Sequence, residues 1–281
     1  MSAHTMSMRD ALYEAPGPRT KRLTLMGTII SLVLVCIGLA LVVRQFYVTG
    51  QLDAKYWAFF TRTSTWLYLL NGFVGTIMVA ATAAVISLVL GVVLMLGRTS
   101  GIGPLAVVCR VIIDFFRGVP SLLLIYFFYL GLPTVGIRMS PFWMIAIPVA
   151  LAASGVLAEV FRAGVNAVPK GQTEAALSIG LTPGKTMFKI ILPQALRIVI
   201  PSLISQLVVV VKDTTVAYVV SYPDLMQNAR VLITTNDAVV SVYLVVAVIY
   251  ILVNFAINQL SINMARRSGN PIISRTNENP T

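Results

Sequence analysis

The residues able to do chemistry are few, and most lie in apolar surroundings. Lys212 and Asp213 stand side by side in an otherwise uncharged run. Asp114 precedes Arg117, and Glu159 precedes Arg162, each pair at i, i+3, a spacing that puts two side chains on one helix face. A charge in the middle of a bilayer costs about 2.5–3.5 kcal/mol on insertion scales. Residues at i and i+1 do not face each other on a helix, so Lys212 and Asp213 do not simply cancel. Lys212 can draw in an anionic ligand while Asp213 holds the structure, or both can pair internally to fix helix packing. Asp114 with Arg117 and Glu159 with Arg162 read as ion pairs near one membrane interface, where Gly118 and Pro120 loosen the helix.

Other chemistry is excluded. The one histidine is His4, in a polar tail, and the two cysteines, Cys36 and Cys109, lie apart in apolar runs. No metal site, disulfide or Ser-His nucleophile can be assembled from them. Gly184-Lys185-Thr186 imitates the end of a phosphate loop, but Ile179 stands where the leading glycine is required, and no strand precedes it. The chain is therefore expected to use no cofactor, to be no enzyme, and to leave any ATP hydrolysis to a separate polypeptide.

The elements that must position these residues are membrane helices. Of the 281 residues, 57% are hydrophobic and 11% charged, against about 25% charged in soluble domains. Six stretches meet or approach the roughly 20 apolar residues of a span: 23–43, 71–97, 105–132, 139–158, 198–222 and 238–265. The fold class is an all-α integral membrane protein with six transmembrane helices. The first apolar run is too long for a signal peptide and lacks a cleavage site, so it reads as a retained anchor. The net charge is +11, and its sidedness decides the topology. With the N-terminus inside, the inner segments hold Arg9, Arg19, Lys21, Arg22, Arg98, Arg110, Arg117, Arg162, Lys170, Lys185, Lys189, Arg197, Arg266, Arg267 and Arg275, against Arg44, Lys55, Arg62, Arg138 and Arg230 outside. Both termini are then cytoplasmic, and no folded basic module points to nucleic acid. Aromatics from Tyr56 to Tyr68 read as an outer-interface belt or as a helix lying on the membrane surface. The tails, 1–22 and 268–281, are polar.

The longest inner loop, 163–193, is polar and punctuated by glycine and proline. It predicts a helix from Gln172 to Ile179, a left-handed turn at Gly180, and a second helix capped by Thr182-Pro183 and stopped by Pro193. The tip is small and neutral at Ala175 and Ala176, so it can enter a groove closely, and the lone Glu174 can meet an arginine there.

The loop resembles the EAA signature of the membrane subunits of ATP-driven importers: Gly171, Gln172, Glu174, Ala175, Ala176, Gly180, Ile190, Leu192 and Pro193 occupy its offsets. Further motifs extend the likeness over about 72–267: Arg117-Gly118-Val119-Pro120, Glu159-Val160-Phe161-Arg162, Val168-Pro169-Lys170-Gly171-Gln172, Pro193-Gln194-Ala195-Leu196-Arg197 and Lys212-Asp213-Thr214-Thr215. The chain resembles the permease subunits of ABC-type polar amino-acid importers, the histidine/glutamine/glutamate group. The resemblance implies a five-helix ABC type I importer core at 72–267, with 23–71 as an extra helix and outer loop. It implies a bacterial cell membrane and a polar amino-acid substrate, with glutamate the first choice. The implied partners are two copies of an ATP-binding subunit docked on the 163–193 loop, a second permease chain, identical or homologous, and an extracellular binding protein. Lys212, Asp213, Arg117 and Glu159 become candidates for the substrate pathway. The alternative is an ion-coupled secondary amino-acid transporter, which would need paired broken helices in repeated halves; one broken span is visible and no repeat.

Overall fold

The computed structural model describes residues 17–267. His4, Arg9 and Arg275 lie outside them. The described residues are all-α and fall into two units, one ending at Tyr56 and the other beginning at Trp57.

The first unit is built on α1, Pro18–Val48. Pro18 opens it, where its missing N–H costs nothing, so the helix takes in Arg19, Lys21 and Arg22 ahead of the apolar run. It is apolar around nearly its whole circumference from Leu23 to Val43.

The second unit holds the remaining helices. It starts with an aromatic knot. Phe59 and Phe60 pack at 4.3 Å between ring centroids, Trp66 lies 5.8 Å from Phe60, and the Trp66 indole donates to the Phe60 carbonyl at 2.7 Å. Next come α2, Thr63–Arg98, and α3, Gly103–Gly118. Then α4, Ser121–Tyr126, runs on through a π turn at Phe127–Gly131 to Thr134. α5 is Pro141–Ala167, α6 is Lys170–Ser178 and α7 is Pro183–Thr186. α8, Leu192–Thr214, continues as a 3-10 turn, Thr215–Val220. α9, Leu225–Asn236, and α10, Val239–Arg267, complete the unit.

One expectation is met here and one is corrected. The third span breaks where Gly118 and Pro120 loosen the helix: α3 and α4 meet at 98°. Pro120 supplies no N–H and biases Val119 to extended backbone (φ −85°, ψ 124°), so the helix breaks between them. Pro193, in contrast, does not stop a helix. Pro183–Val220 runs as one rod of 38 residues. Pro193 cannot donate to the carbonyl four residues back, and the chain absorbs the loss by widening one turn: the Leu192 N–H reaches Met187 O, five residues back, in a π turn at Met187–Ile191. The same device precedes Leu132-Pro133, where Leu132 N–H reaches Phe127 O.

The core is in layers along α2, α5 and α8. One layer packs Val79, Ala83, Ile145, Val149, Val210 and Val211. Nearer the 163–193 loop a second packs Met95, Ile113, Leu157, Phe161 and Val199. At the root of the loop Val168, Ile191 and Ala195 close a third. α5 and α8 come so close at Gly164 that a Cβ there would lie 2.4 Å from Val199 Cγ1 and 3.0 Å from the Ala195 carbonyl oxygen.

Candidate functional site

The loop end of the bundle is built as a lever. α6 ends in a Schellman motif: Leu181 N–H donates to Ala176 O at 3.1 Å and Gly180 N–H to Leu177 O at 2.9 Å. The motif requires a left-handed residue, and Gly180 has φ +83°. Thr182 then caps α7, its hydroxyl accepting from Lys185 N–H at 3.4 Å, and Pro183 takes the first helical position. Gly171, Gln172, Glu174 and Ala175 are exposed. Ala176 is not part of that tip: it is 4% exposed and faces inward, so the exposed small surface is Ala175 beside Glu174. Ile190 and Leu192 are half-buried, Ile190 against the cluster at the loop's root, and Pro193 lies at the start of α8. A hydrogen bond from Gln194 to the Gln172 carboxamide oxygen, 3.2 Å, ties α6 to the rod. Beneath the lever is a cavity of ≈560 Å³ between Leu96, Val165, Leu177 and Met187. Thr186, 2% exposed, has a hydroxyl without a hydrogen-bond partner.

The charged residues separate into three groups. Glu159 sits between two arginines. Arg162 holds it in a two-point contact at 2.8 and 2.7 Å, as the i, i+3 spacing suggested, and Arg98 contacts its other oxygen. Arg98 was missed as a partner, although it ends its helix on the same side. The Glu159 side chain is 17% exposed and Arg98 20%, so the group is largely shielded from solvent.

The second group joins Arg117 and Asp213. Both line a cavity of ≈150 Å³ with Ser121, Gln206 and Val209. Arg117 packs against α5: its Cγ stands 3.0 Å from where a Gly155 Cβ would be, and Gly155 is twelve residues, roughly 18 Å of helix, from the loop end of α5. The pairing with Asp114 is loose, 3.9 Å and half-exposed, and Asp114 also meets Arg110 at 3.6 Å.

Lys212 stands apart. It is exposed on this chain's surface, at the end of a row of exposed positions, Ser202, Ser205, Val209 and Lys212. Their steps of three and four residues place them along one side of the rod.

At the far end, the segment after the rod folds back against α2. A Cβ on Gly75 would lie 2.4 Å from Pro223 O, and one on Gly72 2.7 Å from Asp224 O. Thr76 accepts from Leu225 N–H at 3.1 Å and Asn228 donates to Tyr68 O at 2.7 Å. Asp224 caps α9 by accepting from Gln227 N–H at 2.7 Å; it is 1% exposed, and its other oxygen has no hydrogen-bond partner. Burial pushes its carboxyl up to about 6. The sequence reading passed over Asp224, although an Asp three residues before Gln at a helix start is an N-cap signal.

Comparison with known proteins places this arrangement. Residues 94–268 match the family described as binding-protein-dependent transport system inner membrane component. A glutamate transport system permease protein of Corynebacterium glutamicum is 34% identical over 240 residues, covering 82% of this chain and 88% of that protein. A probable glutamine ABC transporter permease protein of Bacillus subtilis is 36% identical over 189 residues, covering 67% and 88%. Among solved structures, an amino acid ABC transporter described as crystallised with histidines superposes with a TM-score of 0.70 at 28% identity, over 74% of this chain and 98% of that one.

Proposed function

The chain belongs to the family of binding-protein-dependent transport system inner membrane components, and on that premise we propose that it carries a polar amino acid, glutamate by first choice, through the membrane under the drive of a separate ATPase. It is a multi-pass membrane permease subunit of an amino-acid ABC importer. Glutamate is favoured by the relative from Corynebacterium glutamicum; glutamine is the competitor, from the relative in Bacillus subtilis.

The observation that carries the coupling is the rod. The exposed α6 helix, with Glu174 and Ala175 at its tip, is tied by Gln172–Gln194 to a single helix that runs from Pro183 to Val220. Two copies of an ATP-binding subunit dock on α6 and its counterpart in a second permease chain. Their closure pushes the lever, and the rod carries the push into the bundle. The loop end is cytoplasmic, as are both termini, because the cations gather there. An extracellular binding protein delivers the amino acid to the far end.

Lys212 supports the second permease chain. An exposed cation with serines beside it does not suit lipid, and the row Ser202–Lys212 therefore faces the pathway between two chains. Arg117 and Asp213 flank that pathway in the smaller cavity. Glu159, held by Arg98 and Arg162, fastens α2 to α5 at the pathway's cytoplasmic end.

The test is co-purification from native membranes in mild detergent, with the tag on the C-terminus. An ATP-binding subunit should accompany the unchanged chain and be lost or reduced with Glu174→Lys. Its absence from both preparations would refute the coupling and return the ion-coupled alternative.

A further inference from the structure

The far end of the rod carries a second cationic site that neither the family likeness nor the motifs single out. The 3-10 turn ends at Ser221, which adopts a left-handed conformation, φ 54°, and the chain reverses into α9. In the angle between them lies a cavity of ≈260 Å³ lined by Tyr218, Ser221, Gln227, Arg230, Val231 and Thr234. The Arg230 guanidinium is laid over the Tyr218 ring, 4.6 Å from its centroid, an arrangement that holds the fork in place without using its N–H donors. Among the described residues no carboxylate comes within ion-pair distance of Arg230. The carboxyl of Asp224, three residues before Gln227, is buried and committed to capping α9.

A fixed guanidinium beside an amide side chain and hydroxyls is the donor set for a carboxylate. We infer that this cavity is the first stop of the incoming amino acid, where Arg230 takes the substrate's α-carboxylate before it passes to Lys212. The inference rests on the importer reading. Its second support is register. Tyr218, Thr215 and Lys212 are three residues apart; side chains at i and i+3 eclipse in a 3-10 helix and are neighbours in an α-helix. The mouth cavity therefore opens on the side of the rod that carries Lys212, six residues or roughly 10 Å deeper. Two weak cationic stops in series let an anion enter and leave again, where one deep site would retain it.

The carboxylate at Arg230 has two sources, the free amino acid or an acidic side chain of the docked binding protein, and kinetics separate them. The complete importer is reconstituted in liposomes with ATP, and initial uptake is measured against the concentration of loaded binding protein, at matched amounts of assembled complex. Arg230→Gln should lower the maximal rate about tenfold or more, the loss expected for one charge-assisted contact, with half-saturation by binding protein unchanged. Arg230→Lys should fall between, because it keeps charge but loses the fork. An unchanged maximal rate overturns the inference, as does a raised half-saturation at full maximal rate, which would assign Arg230 to the binding protein. A second readout needs no turnover: Ser221→Cys, in a chain with Cys36→Ser, is labelled with a charged thiol reagent. Millimolar L-glutamine should slow labelling and its carboxyl-free analogue 4-aminobutyramide should not; equal protection by both overturns the carboxylate assignment. Failure of the unchanged protein to take up any amino acid with ATP would sink the importer reading itself.

Discussion

The contact between α5 and the rod at Gly164 gives a measurable test of how the lever is seated. In Gly164→Ala the new Cβ would lie 2.4 Å from Val199 Cγ1 and 3.0 Å from Ala195 O. Unstrained carbons sit at about 3.5–4.0 Å, so the side-chain overlap exceeds 1 Å, and the carbonyl blocks the easiest retreat. Overpacking of this kind costs about 1–3 kcal/mol, and contact with backbone as well as side chain puts it near the upper end. Replacing a helical glycine by alanine returns roughly 0.5–1 kcal/mol of propensity. The net expectation is a loss of about 2 kcal/mol, read as the free energy of unfolding in mixed detergent micelles. The pair is then tested as a cycle. If Val199 is the obstacle, Val199→Ala must cost about 1 kcal/mol less in the Gly164→Ala background than alone, within the range of couplings between touching residues. Strict additivity, or an alanine at 164 with native stability, would refute the close approach.

Other consequences can be checked alongside. Glu159→Gln leaves Arg98 and Arg162 facing each other without their anion; breaking one side of a shielded ion group costs about 3–5 kcal/mol when fully buried, and about 2 kcal/mol is expected at this partial exposure, seen as a lowered melting temperature of the purified chain. Gly180→Ala forces a side chain into φ +83° and should cost about 1–2 kcal/mol, with uptake falling while ATP hydrolysis continues. The Asp224 carboxyl has a folded value of about 6, above its unfolded value of about 3.9. The folded state therefore holds this proton more tightly, and stability drops as pH rises through about 4 to 6, by up to about 3 kcal/mol, then levels off. Asp224→Asn keeps an acceptor for Gln227 N–H and should abolish that slope in unfolding measured across the same range; a persisting slope would assign it to another group.

Much of the site was legible because local rules dictate it. The turn at Gly180 and the cap at Thr182 follow from residue type and spacing alone, and the pairing of Glu159 with Arg162 from helical periodicity. What could not be read was anything set by contacts distant in sequence. Arg98 joins Glu159 across 61 positions. Arg117 packs against Gly155 of α5, a contact that no local rule predicts. Pro193 misled because proline is a helix breaker in its usual setting; one widened turn was enough to pass it. Ala176 was assigned outward by composition, whereas the helix phase, fixed by the loop's root, turns it inward.

The unbroken rod has a mechanical consequence. At 38 residues it is roughly 57 Å long at 1.5 Å per residue, more than the thickness of a bilayer. Tilting such a beam by about 10° around its middle carries each tip about 5 Å in opposite directions. Opening one mouth and narrowing the other are then one displacement of one body, not two events needing synchrony. Under the proposed coupling, a permease geared this way would pass through no posture with both mouths wide.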